Sequence, residues 1–438
     1  MISPMKNLRI MENLGKVSFL ILIVFASFGC ANNNDTPPFY KSDYVVFSWN
    51  DLGMHCLNPT YDKAVILPPY NNVIAQVVKR GDPPQLVTSG ITVEYRIIDN
   101  TTSYNKRQYG GFWDNITALF GLVSLEHDKG LTGNKLSGLM TAGDGRFEAT
   151  GIPVTPVNDN NVWNPMQVAE ITVKDGTGNI IAQTRNTVPT SDEINCAKCH
   201  GNDAFTDIMN KHDEEEGTHL ITSKPVLCAN CHGSLALGKE GRGTSGKYLS
   251  EAIHGFHADK GASCYDCHPG ATTQCNRSVK HTASDGHCTT CHGTMADVAS
   301  STNTAGRVPW GNEPSCTKCH SDVSGVGSTT TLYRNTRGHG NMMCSACHGS
   351  PHAMVPSLED SDNYQAMQYQ PYSKSPKSIA SCGACHDNSR GEEGDISDYE
   401  EVHGGGKPEE INGCYICHTA VYNTRDNWPH AYTWKNSN

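Results

Sequence analysis

Hydrophobic and polar positions follow two different patterns along the chain, and the change falls near residue 190. Between residues 44 and 190, short runs rich in Val, Ile, Thr and Tyr alternate with turn residues, a pattern typical of β-strands. The clearest runs are YVVFSW, VIAQVVK, ITVEYRI, EITVK and IIAQT. About seven such strands over this length predict a β-sandwich, for which an immunoglobulin-like arrangement is one form.

Two stretches of this β region predict local features. The turn residues from Asp175 to Gly178 predict a β-hairpin over residues 174–183. Residues 110–125, GGFWDNITALFGLVSL, are less typical of a strand. They predict either a helix or an apolar insertion.

From Asn195 onward, Gly, Ser, Asn, His and Cys dominate and apolar periodicity nearly vanishes. Only short helices are expected, for example at residues 203–211 and 248–258. Hydrophobic residues make up 37% of the 438-residue chain, a share that includes its 19 Cys and 17 Tyr. This second half is mostly irregular and lacks the aliphatic side chains of an ordinary core. Its interior must therefore be formed by some other apolar group.

The pattern C-x-x-C-H, which occurs eight times, indicates what that group is. Two thiols three positions apart can form thioethers with the two vinyl groups of one porphyrin, and the next residue presents an imidazole to the iron. Zinc ribbons do not require a His after every pair, and a disulfide framework would not place eight His at one offset. The sequence therefore predicts eight haem c groups, at Cys196, Cys199, His200; Cys228, Cys231, His232; Cys264, Cys267, His268; Cys288, Cys291, His292; Cys316, Cys319, His320; Cys344, Cys347, His348; Cys382, Cys385, His386; and Cys414, Cys417, His418.

Successive copies begin 24 to 38 residues apart. At this density the haems are expected to form the interior of residues 191–438, with the peptide wrapped around them as loops and short helices. Haems packed this closely also predict a continuous chain of redox centres. By analogy with structural metals, this part of the chain is not expected to fold without them.

Low-spin haems that transfer electrons take a sixth ligand from the protein, and histidine is the abundant candidate. Ten candidates for eight irons favour bis-histidine ligation: His212, His219, His254, His257, His281, His287, His339, His352, His403 and His430. His254 and His257 are three residues apart, hence on one helical face, and could serve two neighbouring haems. His212 precedes the acidic run of residues 213–216, which is typical of a solvated surface.

Two histidines and two further cysteines fall outside these patterns. His55 is interpreted as a packed histidine of the β region, with a distal ligand as the alternative, and His127 as a surface residue. Cys56 and Cys275 are left over from the motifs. In an oxidising compartment they either form a disulfide between the two halves or remain two buried thiols.

The first 30 residues are typical of an export signal. Lys6, Arg9 and Lys16 precede an apolar run, residues 17–28, that ends in Gly29-Cys30. A run of about twelve residues is too short to span a bilayer. A lipoprotein signal would make Cys30 the first, lipid-carrying residue, whereas an ordinary signal peptide is the alternative. The predicted organisation is a signal peptide (1–29), a lipidated tether (30–43), a β-sandwich domain (44–190) and an octahaem domain (191–438).

Charge narrows the set of partners. The formal net charge is −11, from 34 Lys and Arg against 45 Asp and Glu, and haem propionates would add to it. This acidity argues against a nucleic-acid partner, which requires a basic face. An acidic surface favours cationic redox partners or metal cations.

The second half resembles the secreted multihaem c-type cytochromes of bacteria that respire metals or other external acceptors. The resemblance rests on CYDCHPGATTQC, CTTCHGTMADV and LYRNTRGHGNMMCSACHGSPHA, together with the opening of the β region, SWNDLGMHC. It implies electron transfer to redox protein partners or an extracellular acceptor. It also implies a location at the outer membrane or cell surface, with the periplasm or the medium as alternatives.

Three functions remain open at this stage. An electron carrier is favoured over an enzyme, since ten spare His allow every iron to be capped. The second is an octahaem reductase or oxidoreductase of nitrogen or sulfur compounds, which needs one open haem; no motif shows the Lys-for-His replacement found in some such enzymes. The third is a homo-oligomeric conductive filament in which His430 or His55 ligates a neighbouring chain's haem.

Overall fold

The computed structural model describes residues 42–81, 84–270, 272–279, 281, 288–303, 308–314, 316, 332–369 and 384–385. The predicted signal segment, the Cys30 anchor and most of the tether lie outside these residues. Within the described ranges, no helix is both long enough and apolar enough to cross a membrane.

The β region consists of short strands, as its alternating pattern predicts. In chain order they are β1 Tyr44–Asn50, β2 His55–Cys56, β3 Ala64–Val65, β4 Asn71–Lys79, β5 Gln85–Val87, β6 Ile91–Ile97, β7 Ser137–Leu139, β8 Thr141–Gly143, β9 Arg146–Ile152, β10 Val168–Asp175, β11 Ile180–Thr187 and β12 Thr190–Ser191, followed in the second half by β13 Val226–Leu227. All five of the clearest runs in the sequence are strands. Strand β9, RFEATGI, lacks their density of aliphatic residues and was not among them.

Most of these strands form two antiparallel sheets. The order is β1-β4-β9-β8 in the first sheet, where β5 also pairs with β4, and β11-β10-β6-β7 in the second. Both sheets bury side chains in one apolar core, with Val46 and Ala75 from the first and Tyr95 and Ile171 from the second. Because successive side chains of a strand point to opposite faces, alternate residues supply this core.

The predicted hairpin is present between β10 and β11. At its turn, the Asp175 carboxylate accepts hydrogen bonds from the backbone N–H groups of Thr177 and Asn179, both at 2.9 Å. Gly178 has a φ of +90°, which favours glycine. The turn residues therefore fix the register in which the two strands pair.

Residues 110–125 contain two short helices, α1 Gly111–Asp114 and α2 Ile116–Phe120. The helix alternative is thus the observed one. Phe112 and Leu119 enter a second apolar cluster, which also includes Leu227 and Ala229 of the second half. This stretch therefore anchors the two halves to each other.

The second half contains short helices joined by irregular segments. They are α3 Ala197–His200, α4 Ala204–Glu216, α5 Leu249–His257, α6 Cys264–Cys267, α7 Cys288–His292, α8 Met295–Asn303, α9 Cys344–His348 and α10 Tyr364–Gln368, with 3-10 turns at Leu220–Thr222, Cys228–Asn230, Leu235–Leu237, Tyr333–Asn335, His339–Asn341 and Asp360–Asn363. The two predicted helices correspond to α4 and α5.

A buried ion pair of the second half contacts the β region. The Arg277 guanidinium contacts the Asp362 carboxylate at 2.6 Å, and both side chains are at most 3% exposed. The same guanidinium donates to the Gly53 carbonyl of the β region, at 2.6 Å. Nearby, Trp49 of β1 packs in one apolar cluster with Met343 of the second half.

Cys56 and Cys275 are both free thiols in the structure. Burial raises the pKa of the Cys56 thiol, and the nearby Cys275 raises it further. Burial also raises the pKa of Cys275, to about 11. Both groups are therefore protonated at neutral pH.

Candidate functional site

We number the C-x-x-C-H copies motif 1 to motif 8 in chain order. In motifs 1, 2 and 3, the backbone N–H of the His donates to the carbonyl of the first Cys, at 2.9, 3.0 and 2.9 Å. Motifs 4 and 6 form the helices α7 and α9. A single helical turn places residues three and four apart on one face. Both thiols and the imidazole of a motif are thereby directed to the same side.

In four motifs the His ring faces a second imidazole from outside the motifs, within the described residues. The ring centroids are 6.3, 6.2, 6.0 and 6.2 Å apart in the pairs His200–His257, His232–His212, His268–His254 and His292–His352. We call these the histidine pairs.

The common distance in the histidine pairs matches ligation from opposite sides of one metal ion. A metal–imidazole bond is about 2 Å long, so two opposite imidazoles have nitrogens about 4 Å apart and ring centroids about 6 Å apart. The interplanar angles differ widely, at 78°, 80°, 17° and 28°. Aromatic contacts allow both kinds of angle but spread over centroid distances of about 4.5–7 Å, whereas axial ligation holds the distance near one value and leaves the angle free. The pairs therefore fit an iron between the rings.

Helix α5 contributes to two of the pairs. His254 faces the ring of motif 3, and His257 faces the ring of motif 1. The Nδ1 atoms of His254 and His257 lie 2.7 and 2.8 Å from the carbonyl oxygens of Ser250 and Ile253, one turn earlier in the helix. When an imidazole donates a hydrogen bond from Nδ1 to a carbonyl, the lone pair of Nε2 is left available to bind a metal.

Three further rings of the histidine pairs are held at Nδ1 in a similar way. His352 contacts the Leu52 carbonyl of the β region, at 3.0 Å. His200 contacts the Asp207 carboxylate at 2.7 Å, and His232 the Ser245 hydroxyl at 2.8 Å. Such contacts fix the orientation of a metal-ligating ring and raise its basicity. Sequence reasoning did not identify these contacts, because each depends on the fold.

Burial keeps several of these imidazoles neutral. It lowers the pKa of His268 to about 4, with a further contribution from the neighbouring His254 and His292. Burial also lowers the pKa of His254 and His352. The neutral form is the one that binds a metal, so these sites need no proton release at neutral pH.

Motifs 1, 3 and 4 adjoin one another. Lys198, inside motif 1, forms an ion pair with Asp266, inside motif 3. The Cys264 thiol of motif 3 is hydrogen-bonded to the Cys288 thiol of motif 4. Groups held by these three motifs are therefore close neighbours, although motif 2 intervenes in the sequence.

Other predicted ligands are placed differently. His219 is exposed, and its carbonyl accepts a hydrogen bond from the Ser223 hydroxyl at 2.7 Å. His281 lies close enough to His352 to lower the pKa of that ring. His55 is buried and paired with Asp51 at 2.7 Å, as expected of a packed histidine in the β region.

The exposed His127 stacks on Tyr104, with ring centroids 3.5 Å apart. The backbone of His339 lies in the turn His339–Asn341. Several predicted site residues lie outside the described residues: His287, His403, His430, Cys319, His320, Cys382, His386, Cys414, Cys417 and His418.

Residues 256–349 match the family model of cytochrome c3. This segment contains motifs 3 to 6, and the match implies covalently bound haem c there and supports multihaem electron transfer. Among solved structures, the chain is similar to MtrC from Shewanella baltica OS185, with 17% identity and a TM-score of 0.14. That alignment covers 69% of this chain and 43% of the MtrC chain, so it spans less than half of that protein. No curated protein matches the chain.

Proposed function

We propose that this protein is an electron carrier that binds eight haem c groups, one at each motif, most of them with two histidine ligands. The observation that carries the proposal is the set of four histidine pairs, each with one motif imidazole and one partner 6.0 to 6.3 Å away. The cytochrome c3 match over residues 256–349 supports it independently.

Haem supplies reversible one-electron chemistry at its iron when it is bound. The chain's own residues hold it: two Cys of each motif form thioethers, the motif His is the proximal ligand, and the partner His is the distal one. In the four histidine pairs the partner occupies the position that a substrate would need. This favours electron transfer over catalysis at those four sites.

The fixed orientations of the imidazole rings also favour electron transfer. Imidazoles held by Asp207, Ser245, Ile253 and Leu52 stay in place when the charge at the metal changes. Little reorganisation accompanies each transfer in such a preorganised site. The adjoining motifs 1, 3 and 4 keep successive redox centres close, so that electrons pass along the chain.

We further propose that residues 44–190 form an immunoglobulin-like sandwich and residues 191–438 the octahaem domain. The strand orders β1-β4-β9-β8 and β11-β10-β6 correspond to A-B-E-D and G-F-C in that fold. The signal-like N-terminus supports export, with Cys30 as a lipid anchor at the outer membrane or cell surface. The expected partners are redox proteins or an extracellular acceptor.

The test uses the chain matured in a bacterium that attaches haem c. We expect its intact mass to exceed the polypeptide mass by eight haems and its reduced-minus-oxidised spectrum to show an α-band. Low-spin electron paramagnetic resonance signals should account for most of the iron. The double variant Cys264→Ala, Cys267→Ala should carry seven haems. A mass equal to that of the polypeptide alone would overturn the proposal.

A further inference from the structure

A loop of the β region holds the partner histidine of motif 4. We propose that Asn50 and Gly53 are positioning residues that orient His352 as an axial ligand. The inference rests on the proposed function, and it assigns to the β region a direct part in haem ligation rather than a role as a spacer or docking module.

The first observation is that His352 is held from two sides. Its Nδ1 lies 3.0 Å from the Leu52 carbonyl oxygen, 300 residues earlier in the chain. Its own carbonyl accepts the backbone N–H of Arg277, at 2.9 Å. The β region thus orients the ring that faces His292, and the second half holds the backbone of the same residue.

The second observation explains why the Leu52 carbonyl points at the ring. The Asn50 Oδ1 atom accepts the backbone N–H of Gly53 at 2.6 Å and that of Leu52 at 3.1 Å. The Gly53 N–H and the Leu52 C=O belong to one planar trans peptide, in which they point in opposite directions. Holding the N–H at Asn50 therefore directs the carbonyl away from Asn50 and toward His352.

Asn50 is itself fixed in the β region. It is 2% exposed, and its Nδ2 donates to the Asn72 carbonyl at 2.9 Å and to the Asn71 side chain. These contacts lie at the junction of β1 and β4. The orientation of the Leu52 peptide therefore follows from the sheet itself.

The third observation is the close approach at Gly53. A Cβ on Gly53 would lie 3.1 Å from the Ser350 Cβ and 3.2 Å from the Ala353 backbone N, and its φ is +85°. Ser350 and Ala353 flank His352 in sequence. Ser350 also donates from its hydroxyl to the Asn50 carbonyl. The absence of a side chain at Gly53 allows the loop to reach the ligand.

The consequence concerns the iron that His352 would bind. A hydrogen bond from Nδ1 to a carbonyl fixes the ring and strengthens its donation to a metal. Displacement of the Leu52 carbonyl should weaken the distal bond of motif 4 and raise the reduction potential of that haem.

The experiment compares the Gly53→Ala and Gly178→Ala variants of the haem-loaded chain. Gly178 has a φ of +90° with no atom within 4 Å of an added Cβ. It therefore imposes the same kind of backbone strain without reaching a ligand. The readouts are the number of CO molecules bound per ferrous chain and the redox titration of the haem bands.

We expect Gly53→Ala to bind less than one CO molecule per chain and to raise the reduction potential of one haem. Gly178→Ala should match wild type in both measurements. His352→Ala should bind one CO per chain. If His352→Ala binds CO but Gly53→Ala matches Gly178→Ala, the positioning inference is overturned and the ligand assignment stands. If His352→Ala binds no CO, the ligand assignment fails first.

A second variant guards against misfolding of Gly53→Ala. Asn50→Ala removes the acceptor that holds the Leu52 peptide, and Asn100→Ala is its control. Asn100 is 0% exposed and bonds to the Thr155 carbonyl and the Gln167 side chain, within the β region. CO binding by Asn50→Ala above that of Asn100→Ala supports the inference, and equal binding contradicts it.

Discussion

The hydroxyl of Tyr369 makes two hydrogen bonds with one residue of β1, Val46. It accepts the Val46 N–H at 3.2 Å and donates to the Val46 carbonyl at 2.7 Å. Two residues further, the Gln365 side chain does the same for Ser48. Strand β1 is at the end of its sheet, and an uncovered edge strand presents unpaired backbone groups. The second half of the chain therefore completes the sheet of the first.

Removal of this contact should lower the stability of the β region. We expect Tyr369→Phe to reduce the free energy of unfolding by about 1–3 kcal/mol, since two buried backbone groups lose their partner. Urea denaturation followed by far-UV circular dichroism measures the change. The control is Tyr104→Phe, whose hydroxyl contacts Asp114 at an exposed position. It should stay within about 0.5 kcal/mol of wild type. Equal losses in both variants would contradict the role of Tyr369.

The buried ion pair between Arg277 and Asp362 in the second half predicts a larger effect. Arg277→Ala leaves the Asp362 carboxylate buried without its cation. We expect a loss of about 3–5 kcal/mol in the free energy of unfolding. Lys174→Ala, which breaks a partly exposed pair with Glu94, should cost at most about 1 kcal/mol. A loss for Arg277→Ala as small as for Lys174→Ala would show that the buried pair does not stabilise the fold.

The two histidines of α5 should each control a different haem. His254→Ala and His257→Ala are each expected to convert one low-spin haem to a high-spin form that binds CO, and the double variant is expected to convert two. Titration of the ferrous protein with CO gives the count. His127→Ala, at an exposed position of the β region, is the control and should bind as little as wild type. Two single variants without added CO binding would disprove this assignment.

A carboxylate of the second sheet predicts a pH dependence. Burial opposes the charge on Glu170, but hydrogen bonds from Arg96 and Arg185 outweigh it and hold the pKa of Glu170 below its ordinary value of 4.5. A carboxyl with a lowered folded-state pKa stabilises the fold above its unfolded pKa, and this stability is lost as the pH falls through the folded pKa. Glu170→Gln removes it.

The difference in unfolding free energy between wild type and Glu170→Gln should therefore be largest near neutral pH. It should shrink as the pH falls below 4.5. Urea denaturation of both proteins across this range measures it. A difference that is constant with pH would show that the two arginines contribute no charge-dependent stabilisation.

The parts of the fold that were predictable from the sequence depend on local patterns. The strands β1 and β10 follow from short runs rich in β-branched and aromatic residues, and the common face of His254 and His257 follows from helical spacing. The contact between Leu52 and His352 could not be predicted, because a leucine carbonyl 300 residues from its partner leaves no trace in residue type.

His212 is an intermediate case. The acidic residues that follow it indicate a solvated surface, yet the structure places it against His232. The buried residues Phe205 and Met209 precede it at helical spacing on α4. This apolar face carries His212 toward the interior, so helical periodicity is a better guide here than the neighbouring charges.

In the proposed electron carrier, helix α5 would set the spacing between the two irons bound by His254 and His257. Both side chains project from the same short helix, so any tilt of that helix would move both irons in the same direction. The tunnelling gap between them would then stay nearly constant while the surrounding loops fluctuate. Transfer across that step should accordingly be insensitive to thermal motion of the surface.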